Sequence, residues 1–298
     1  MPVICKWRIS TEAELSVKFY LKKFEGVSAR MLAALKQSGF IWVNGASANQ
    51  GTILQSGDEL AVRLPDEKQP VLRDVAIPSL TPVYEDDHLS VWIKPAGLLT
   101  LPGRDPEQPA LYDSVVKHYA SQGWPGAVHA AGRLDRGTSG LQLIAKHRLA
   151  KQRLERDGFQ RTYQALVTGC LSPEANVIEQ PLKPNPNSLI EQMTAPDGKY
   201  ARTSYRTLKC GKQLTWIEAL IATGRTHQIR VHLSHVNHPL INDALYGGPV
   251  ITDNTPALHA AELVFKHPMT KNTFHFESPA PARFETLWDK VEQQHGST

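Results

Sequence analysis

Apolar positions in the stretch VSARMLAALKQSG fall at Met31, Leu32 and Leu35, a spacing that gives a short helix one apolar face. Ser28 stands ahead of it as a cap candidate, and Gly39 follows as a stop signal. FIWVNGASAN then turns β-rich and is broken by Asn44-Gly45, a pair that tolerates positive φ and favours a tight hairpin. GDELAVRLP alternates as a further strand. DEKQPVLRDVAIPS carries charges and two prolines and reads as a linker. The pattern predicts a small α/β unit over residues 1–65, a linker over 66–79 and a larger unit over 80–298.

In the larger unit, LSVWIKPAG sets Leu89, Val91 and Ile93 on one face of a strand that ends at Pro95. GTSG is a turn leading into the apolar strand LQLIAK. HRLAKQRLERDG is an amphipathic, basic helix stopped by Gly158. TYQALVTG, ARTSYRTLKC and LTWIEALIAT are rich in Tyr, Val, Thr and Ile and read as strands. RTHQIRVHLSHVNHP reads as a helix until Pro239. Strands with few regular βα repeats predict an α+β fold with a mixed, mainly antiparallel sheet.

Composition adds bounds. Three widely spaced cysteines, Cys5, Cys170 and Cys210, form no CxxC pair and point to a reducing compartment. No apolar run approaches the roughly 18 residues of a membrane helix, so a cytoplasmic, membrane-free protein is expected. The net charge is only +4, but its distribution is uneven. Residues 133–161 hold eight Lys/Arg against three acids, and residues 199–235 hold seven against Glu218 alone. A tyrosine accompanies each stretch, Tyr163 just past the end of the first and Tyr205 within the second, as a phosphate-tracking groove with stacking platforms would need. Solvated Lys/Arg-rich faces explain the charge equally well.

Among motifs, neither GxxxxGK[ST] nor GxGxxG occurs, so the usual phosphate cradles are missing. Ser139 lacks the flanks of a hydrolase elbow, and a turn role suits Thr138 and Ser139 better. His227, His232, His235 and His238 cluster without an HExxH pattern or a nearby carboxylate, which leaves a metal-dependent hydrolase weakly supported. What remains is Asp135, set between Arg133 and Arg136 in GRLDRGTSGLQLIAK. A neighbouring arginine keeps a carboxylate ionised and oriented. On local sequence alone, a buried Asp–Arg pair that merely fixes a turn is favoured over a catalytic carboxylate.

Five stretches in order, EDDHLSVWIKPAGLLT, GRLDRGTSGLQLIAK, RTYQALVTG, TGRTHQIRVHLSHVNHPLINDALYG and LHAAELVFKHP, resemble the large-subunit (RluA-type) family of RNA pseudouridine synthases. VSARMLAALKQSGFIWVNG and GDEL resemble an S-four-type RNA-binding module, although SVKFYL lacks the usual opening. Gly132 stands where many members have histidine, and Arg161 replaces a common lysine. The resemblance makes Asp135 the catalytic aspartate, Tyr163 the tyrosine against the target base and Arg230 the partner of the aspartate. It gives Arg133 the displacement of the flipped uridine. Lys94, Arg136, Arg225 and His227, all inside matched stretches, are expected to contact RNA with it.

The implied reaction breaks the N-glycosidic bond of a uridine and rejoins the base through carbon 5. It needs no redox partner, so no cofactor and no metal is expected. Asp135 would attack the sugar, abstract a sugar proton or attack the base, and Tyr163 would stack on uracil and serve a proton transfer at carbon 5. Structured RNA, rRNA or tRNA, is the expected partner of a monomer, its uridine extruded from the stack. The alternative is a non-catalytic RNA-binding or ribosome-assembly factor on a synthase scaffold.

Overall fold

The computed structural model describes residues 3–11, 14–38, 40–68, 70–124 and 126–293. Gly39, the expected stop signal, lies outside them. The N-terminal elements are β1 (Ile4–Arg8), β2 (Leu15–Ser16), α1 (Val17–Lys23), α2 (Ala29–Ser38), β3 (Ile41–Val43), β4 (Ala46–Ala48), β5 (Ile53–Leu54) and β6 (Glu59–Arg63). α2 is the helix expected from the apolar spacing, and Ser28 Oγ accepts from the Met31 amide at 3.2 Å at its start. α1 carries a shorter version of the same signal, with Val17, Tyr20 and Leu21 buried and Ser16 as cap. Asn44 and Gly45 take φ of 51° and 80° in the β3–β4 hairpin. β1, β6, β3 and β4 pair in that order as an antiparallel sheet.

The larger unit runs β7 (Pro82–Glu85), β8 (Leu89–Lys94), α3 (Leu111–Ser121), β9 (His129–Ala131), β10 (Ser139–Ala145), α4 (Arg148–Asp157), β11 (Phe159–Thr168), β12 (Ala175–Glu179), β13 (Leu182–Pro184), β14 (Gln192–Thr194), β15 (Arg202–Cys210), β16 (Leu214–Ile221), α5 (Gln228–His235), β17 (Leu258–Lys266), β18 (Thr273–Glu277) and α6 (Arg283–Gln293). Its main sheet follows the order β12-β15-β16-β11-β17-β10-β8-β7, with β18 on β17 and β9 on β10. Among its pairs in the described residues only β10–β17 is parallel, so the sheet is mainly antiparallel as expected. At that seam Gly140 has φ of 111°, and a Cβ there would run into the backbone of Ala260. The glycine lets the strand carrying the Gly-Thr-Ser-Gly turn lie against β17.

Two expectations about elements need correction. Ile93 does not share the burial of Leu89 and Val91; it is 41% exposed, although Trp92 and Lys94 on either side of it are fully buried. The helix around HQIR starts only at Gln228, since His227 is left-handed with φ of 55°. The two units share a boundary. Leu149 of α4 packs in the N-terminal core, and the fully buried Arg153 donates to the Glu25 carbonyl and carboxylate.

Candidate active site

Between β9 and β10, residues 132–136 and Thr138 line a cleft of about 950 Å³. Gly132 opens the loop at φ of 64°, where a Cβ would sit 2.8 Å from Phe159 and 2.9 Å from Arg161. The glycine therefore suits a position crowded by those two side chains.

The loop is latched on both sides of Asp135. Thr100 Oγ1 donates to the Leu134 carbonyl at 2.7 Å and accepts from its amide at 3.2 Å. On the other side, the Gly97 amide and Lys94 Nζ both donate to the Arg136 carbonyl, at 2.8 and 3.2 Å. The Thr138 amide closes the turn on the Asp135 carbonyl at 3.1 Å. Leu134 is buried beneath. Held at both neighbours, the Asp135 side chain projects into the cleft, 30% exposed. No hydrogen-bond donor reaches its carboxylate among the described residues. Among the described residues, the group within ion-pair range is the His227 imidazole, its Nε2 4.0 Å from Oδ2.

Tyr163 lines the same cleft from β11. It is flanked across the sheet by Ala219 and Ala260, and the β11–β17 register shifts at this point. Small neighbours and a local irregularity are what a strand needs to aim a large ring. Burial pushes the Tyr163 phenol up, with Arg161 opposing and Asp135 adding to the rise. The ring is thus a neutral phenol, better suited to packing against a base than to accepting a proton. Tyr205, the second candidate platform, is buried in the core cluster, its hydroxyl 3.5 Å from the Pro173 carbonyl, and does not line this cleft.

Arg230 corrects an expectation. Its guanidinium lies in the cleft wall but pairs with Asp243, Nε to Oδ2 and Nη2 to Oδ1 both at 2.7 Å, rather than with Asp135. Asp243 is almost wholly buried, and a buried carboxylate demands the bidentate fork. The Tyr246 ring lies under the guanidinium at 4.8 Å. Asp135 still acts on Arg230 through space, since its charge helps raise the guanidinium pKa.

Lys94 also corrects an expectation. It is fully buried, donating to the carbonyls of Pro95, Leu98 and Arg136, so no phosphate reaches it in this structure. Burial pushes its pKa down to about 7, with Asp135 pulling the other way. His227 is half-buried and turned inward, Nδ1 against the Tyr246 hydroxyl at 2.8 Å. Burial holds it below the usual imidazole value, Asp135 opposing. Arg133, Arg136 and Arg225 are exposed on the rim. Arg225 is steered by Gln228, whose carbonyl accepts from the Arg225 amide while its amide group donates to Arg202 O and Thr203 Oγ1.

Six Lys/Arg and two acids line the cleft, an environment for a polyanion. The basic window beyond it is partly consumed by pairing: Arg202 meets Glu179, and Arg206 meets Glu218 through two bonds. The clustered histidines serve separate hydrogen bonds. His232 uses both ring nitrogens on Thr203 and Gln180, His235 meets Thr194, and His238 meets the Thr168 carbonyl. Asp243 and Tyr246, within NDALYG, have no role legible in the sequence, because a carboxylate and a tyrosine three apart carry no signal of their own until α5 is folded against them. Thr100 is likewise not legible as a clamp, lying 34 residues from the Leu134 backbone it holds.

Residues 88–235 match the RNA pseudouridylate synthase family. The chain is 35% identical over 285 residues to a Bacillus subtilis (strain 168) protein called uncharacterized RNA pseudouridine synthase YjbO, covering 92% of this chain and 98% of that one. It is 32% identical to ribosomal large subunit pseudouridine synthase D of Pseudomonas aeruginosa, covering 88% of this chain and 86% of the relative. In structure it resembles human RNA pseudouridylate synthase domain containing 1, with a TM-score of 0.58 at 20% identity over 74% of this chain and 95% of that one, a likeness of fold. The order of the matched stretches, the sheet that carries them and these similarities make the chain a member of the large-subunit (RluA-type) family of RNA pseudouridine synthases, isomerases that act on RNA.

Proposed function

We propose that Asp135 is the carboxylate that opens the glycosidic bond of an extruded uridine, in rRNA or tRNA. The observation that carries this is the latched loop: Leu134 and Arg136 are fixed, while the carboxylate between them meets no hydrogen-bond donor among the described residues and faces a basic cleft. A nucleophile or base needs that combination of fixed backbone and free oxygen. In the isomerisation the bond from N1 to the ribose carbon breaks, the bond from carbon 5 to that carbon forms, and the proton leaving carbon 5 is matched by one gained at N1. The aspartate's part in the first step is attack on the sugar, proton abstraction from it or attack on the base.

Tyr163 packs against the uracil from the floor of the cleft, and Arg230, anchored on Asp243, supplies positive field without touching Asp135. Arg133 displaces the flipped nucleotide, and Arg136 and Arg225 meet phosphates on the rim. Residues 1–65 act as an S-four-type RNA-binding module, joined through a 66–79 linker to a catalytic unit over 80–298. The name of the Pseudomonas relative favours large-subunit rRNA as the target. The enzyme works as a cytoplasmic monomer needing no metal or cofactor; free Cys5, Cys170 and Cys210 suit a reducing compartment. No described helix is long and apolar enough to cross a membrane.

Mapping pseudouridine in total RNA from cells with and without this protein identifies the uridine, and a transcript spanning it becomes the assay RNA. Asp135→Asn keeps size and removes charge. The variant is expected to unfold at the wild-type temperature, bind the transcript normally and form no product even in excess over RNA. Near-wild-type single turnover by Asp135→Asn would sink the assignment.

A further inference from the structure

His227 is one of five described non-glycine residues with positive φ, and the other four are asparagines or a lysine in turns. A left-handed residue of this kind costs of order 1 kcal/mol and persists where the surroundings impose it. Here the surroundings are specific. The Gln228 side chain holds the preceding loop, α5 begins one residue later, and the Tyr246 hydroxyl meets His227 Nδ1 at 2.8 Å.

Tyr246 Oη accepts from the Gln192 backbone amide at 2.9 Å and still carries a proton that it can give to His227 Nδ1, an arrangement favoured by the Asp135 carboxylate facing Nε2. An imidazole that accepts at Nδ1 carries its proton at Nε2. Nε2 is the atom that faces Asp135 Oδ2, at 4.0 Å. The separation is about one ångström too long for a hydrogen bond in the free enzyme, and such contacts tighten when substrate excludes water.

We propose that His227 is a positioning residue: set by Tyr246 in its Nε2–H form, it donates to Asp135 Oδ2 in the RNA complex and so aims the other carboxylate oxygen at the nucleotide. This rests on Asp135 being the reacting carboxylate. It also assigns His227 to the machinery beneath the RNA and not to phosphate contact. Tyr246 then has two tasks, its ring under Arg230 and its hydroxyl on His227, so one side chain ties both neighbours of the aspartate to the turn ending at Gly247.

Two substitutions separate this from a purely structural role. Asparagine is well suited to a left-handed backbone and reaches only as far as Nδ1, so His227→Asn keeps the Tyr246 contact and loses the donor toward Asp135. Glutamine reaches the Nε2 position, so His227→Gln restores a donor there. On the transcript spanning the mapped uridine, His227→Asn is expected to slow single turnover about 10- to 100-fold, the penalty of a misplaced reacting group, with Kd for the transcript unchanged. His227→Gln is expected to recover most of that loss. Tyr246→Phe keeps the ring and is expected to slow the step several-fold.

Asp135→Asn is measured alongside. If it is active, the reading of Asp135 falls and this inference with it. If it is inactive while His227→Asn turns over at the wild-type rate, only the positioning role is overturned. Equal losses in the Asn and Gln variants, or a loss confined to Kd, overturn it as well.

Discussion

Thr100 shows how much of the site depends on single atoms. One hydroxyl serves both the backbone N–H and the backbone C=O of the buried Leu134. Thr100→Val keeps the shape and leaves a buried N–H and C=O without that partner, a cost of about 1–3 kcal/mol. The expected result is a modest fall in melting temperature and a fall of about tenfold or more in single turnover, because the aspartate's backbone loosens. An unchanged turnover rate would mean that the Arg136 side of the latch suffices. The residue types at the site were legible in the sequence, since Asp135, Tyr163 and Arg230 stand in the motifs that carry the family resemblance. Their partners were not. Lys94 and His227 are cations on paper and would be assigned to phosphate, yet folding turns one into a buried clamp on carbonyls and the other toward a tyrosine hydroxyl.

Among elements, α4 is the wall between the two units. Lys151 and Glu155 line the cleft, whereas Leu149, Gln152 and Arg153 face the N-terminal unit. Arg153 Nη1 donates to the Pro268 carbonyl at 3.0 Å, its Nη2 meets the Glu25 carboxylate at 2.7 Å, and its guanidinium lies 5.5 Å from the Trp7 ring. Burial pushes its pKa down and the Glu25 charge resists. Arg153→Met is expected to cost about 3–5 kcal/mol, since it leaves Glu25 buried without its cation. Adding Glu25→Gln is expected to return part of that stability, read as a rise in melting temperature over the single variant; no rise would argue that packing, not charge, holds the units together. The amphipathic pattern announced this helix and its Gly158 stop correctly, with Gly158 at φ of 77°. It did not say that both faces would be used.

For the whole molecule, acid sensitivity follows from histidines gathered near the junction of the units. His147 is almost fully buried, and burial first, then the charges of His88 and Arg153, push its pKa down to about 3. Because the folded value lies below the unfolded one of about 6.5, its contribution is fully present above about pH 6.5. It is lost progressively as pH falls toward 3. Asp86 acts lower: burial alone would raise it, but hydrogen bonds from His267, Tyr84 and the His88 and Leu89 amides hold it well below the usual carboxylate range. Its contribution is present above about pH 4 and is lost below. Melting temperature is therefore expected to begin falling near pH 6. His147→Asn, which keeps a cap for α4, should delay that onset, and an unmoved onset would assign it elsewhere. Cys5, His88 and His147 lie close enough to hold a metal. The Ala150 amide donates to His147 Nδ1, however, so Nε2 keeps its proton for His88 and is no ligand. Purified protein is expected to hold far less than one zinc per chain and to keep its activity after chelation, with magnesium supplied for the RNA; stoichiometric zinc at this cluster would refute the argument.

By itself the sequence determined the family, the antiparallel strands, the hairpin at Asn44-Gly45 and the capped helices, because period, turn chemistry and motif order are properties of neighbours along the chain. Only the tertiary structure decided who meets whom across 13 residues from Arg230 to Asp243, 19 from His227 to Tyr246 or 128 from Glu25 to Arg153. A charged side chain takes the partner that satisfies its buried atoms, and burial is set by how sheets and helices pack, a quantity with no local signature.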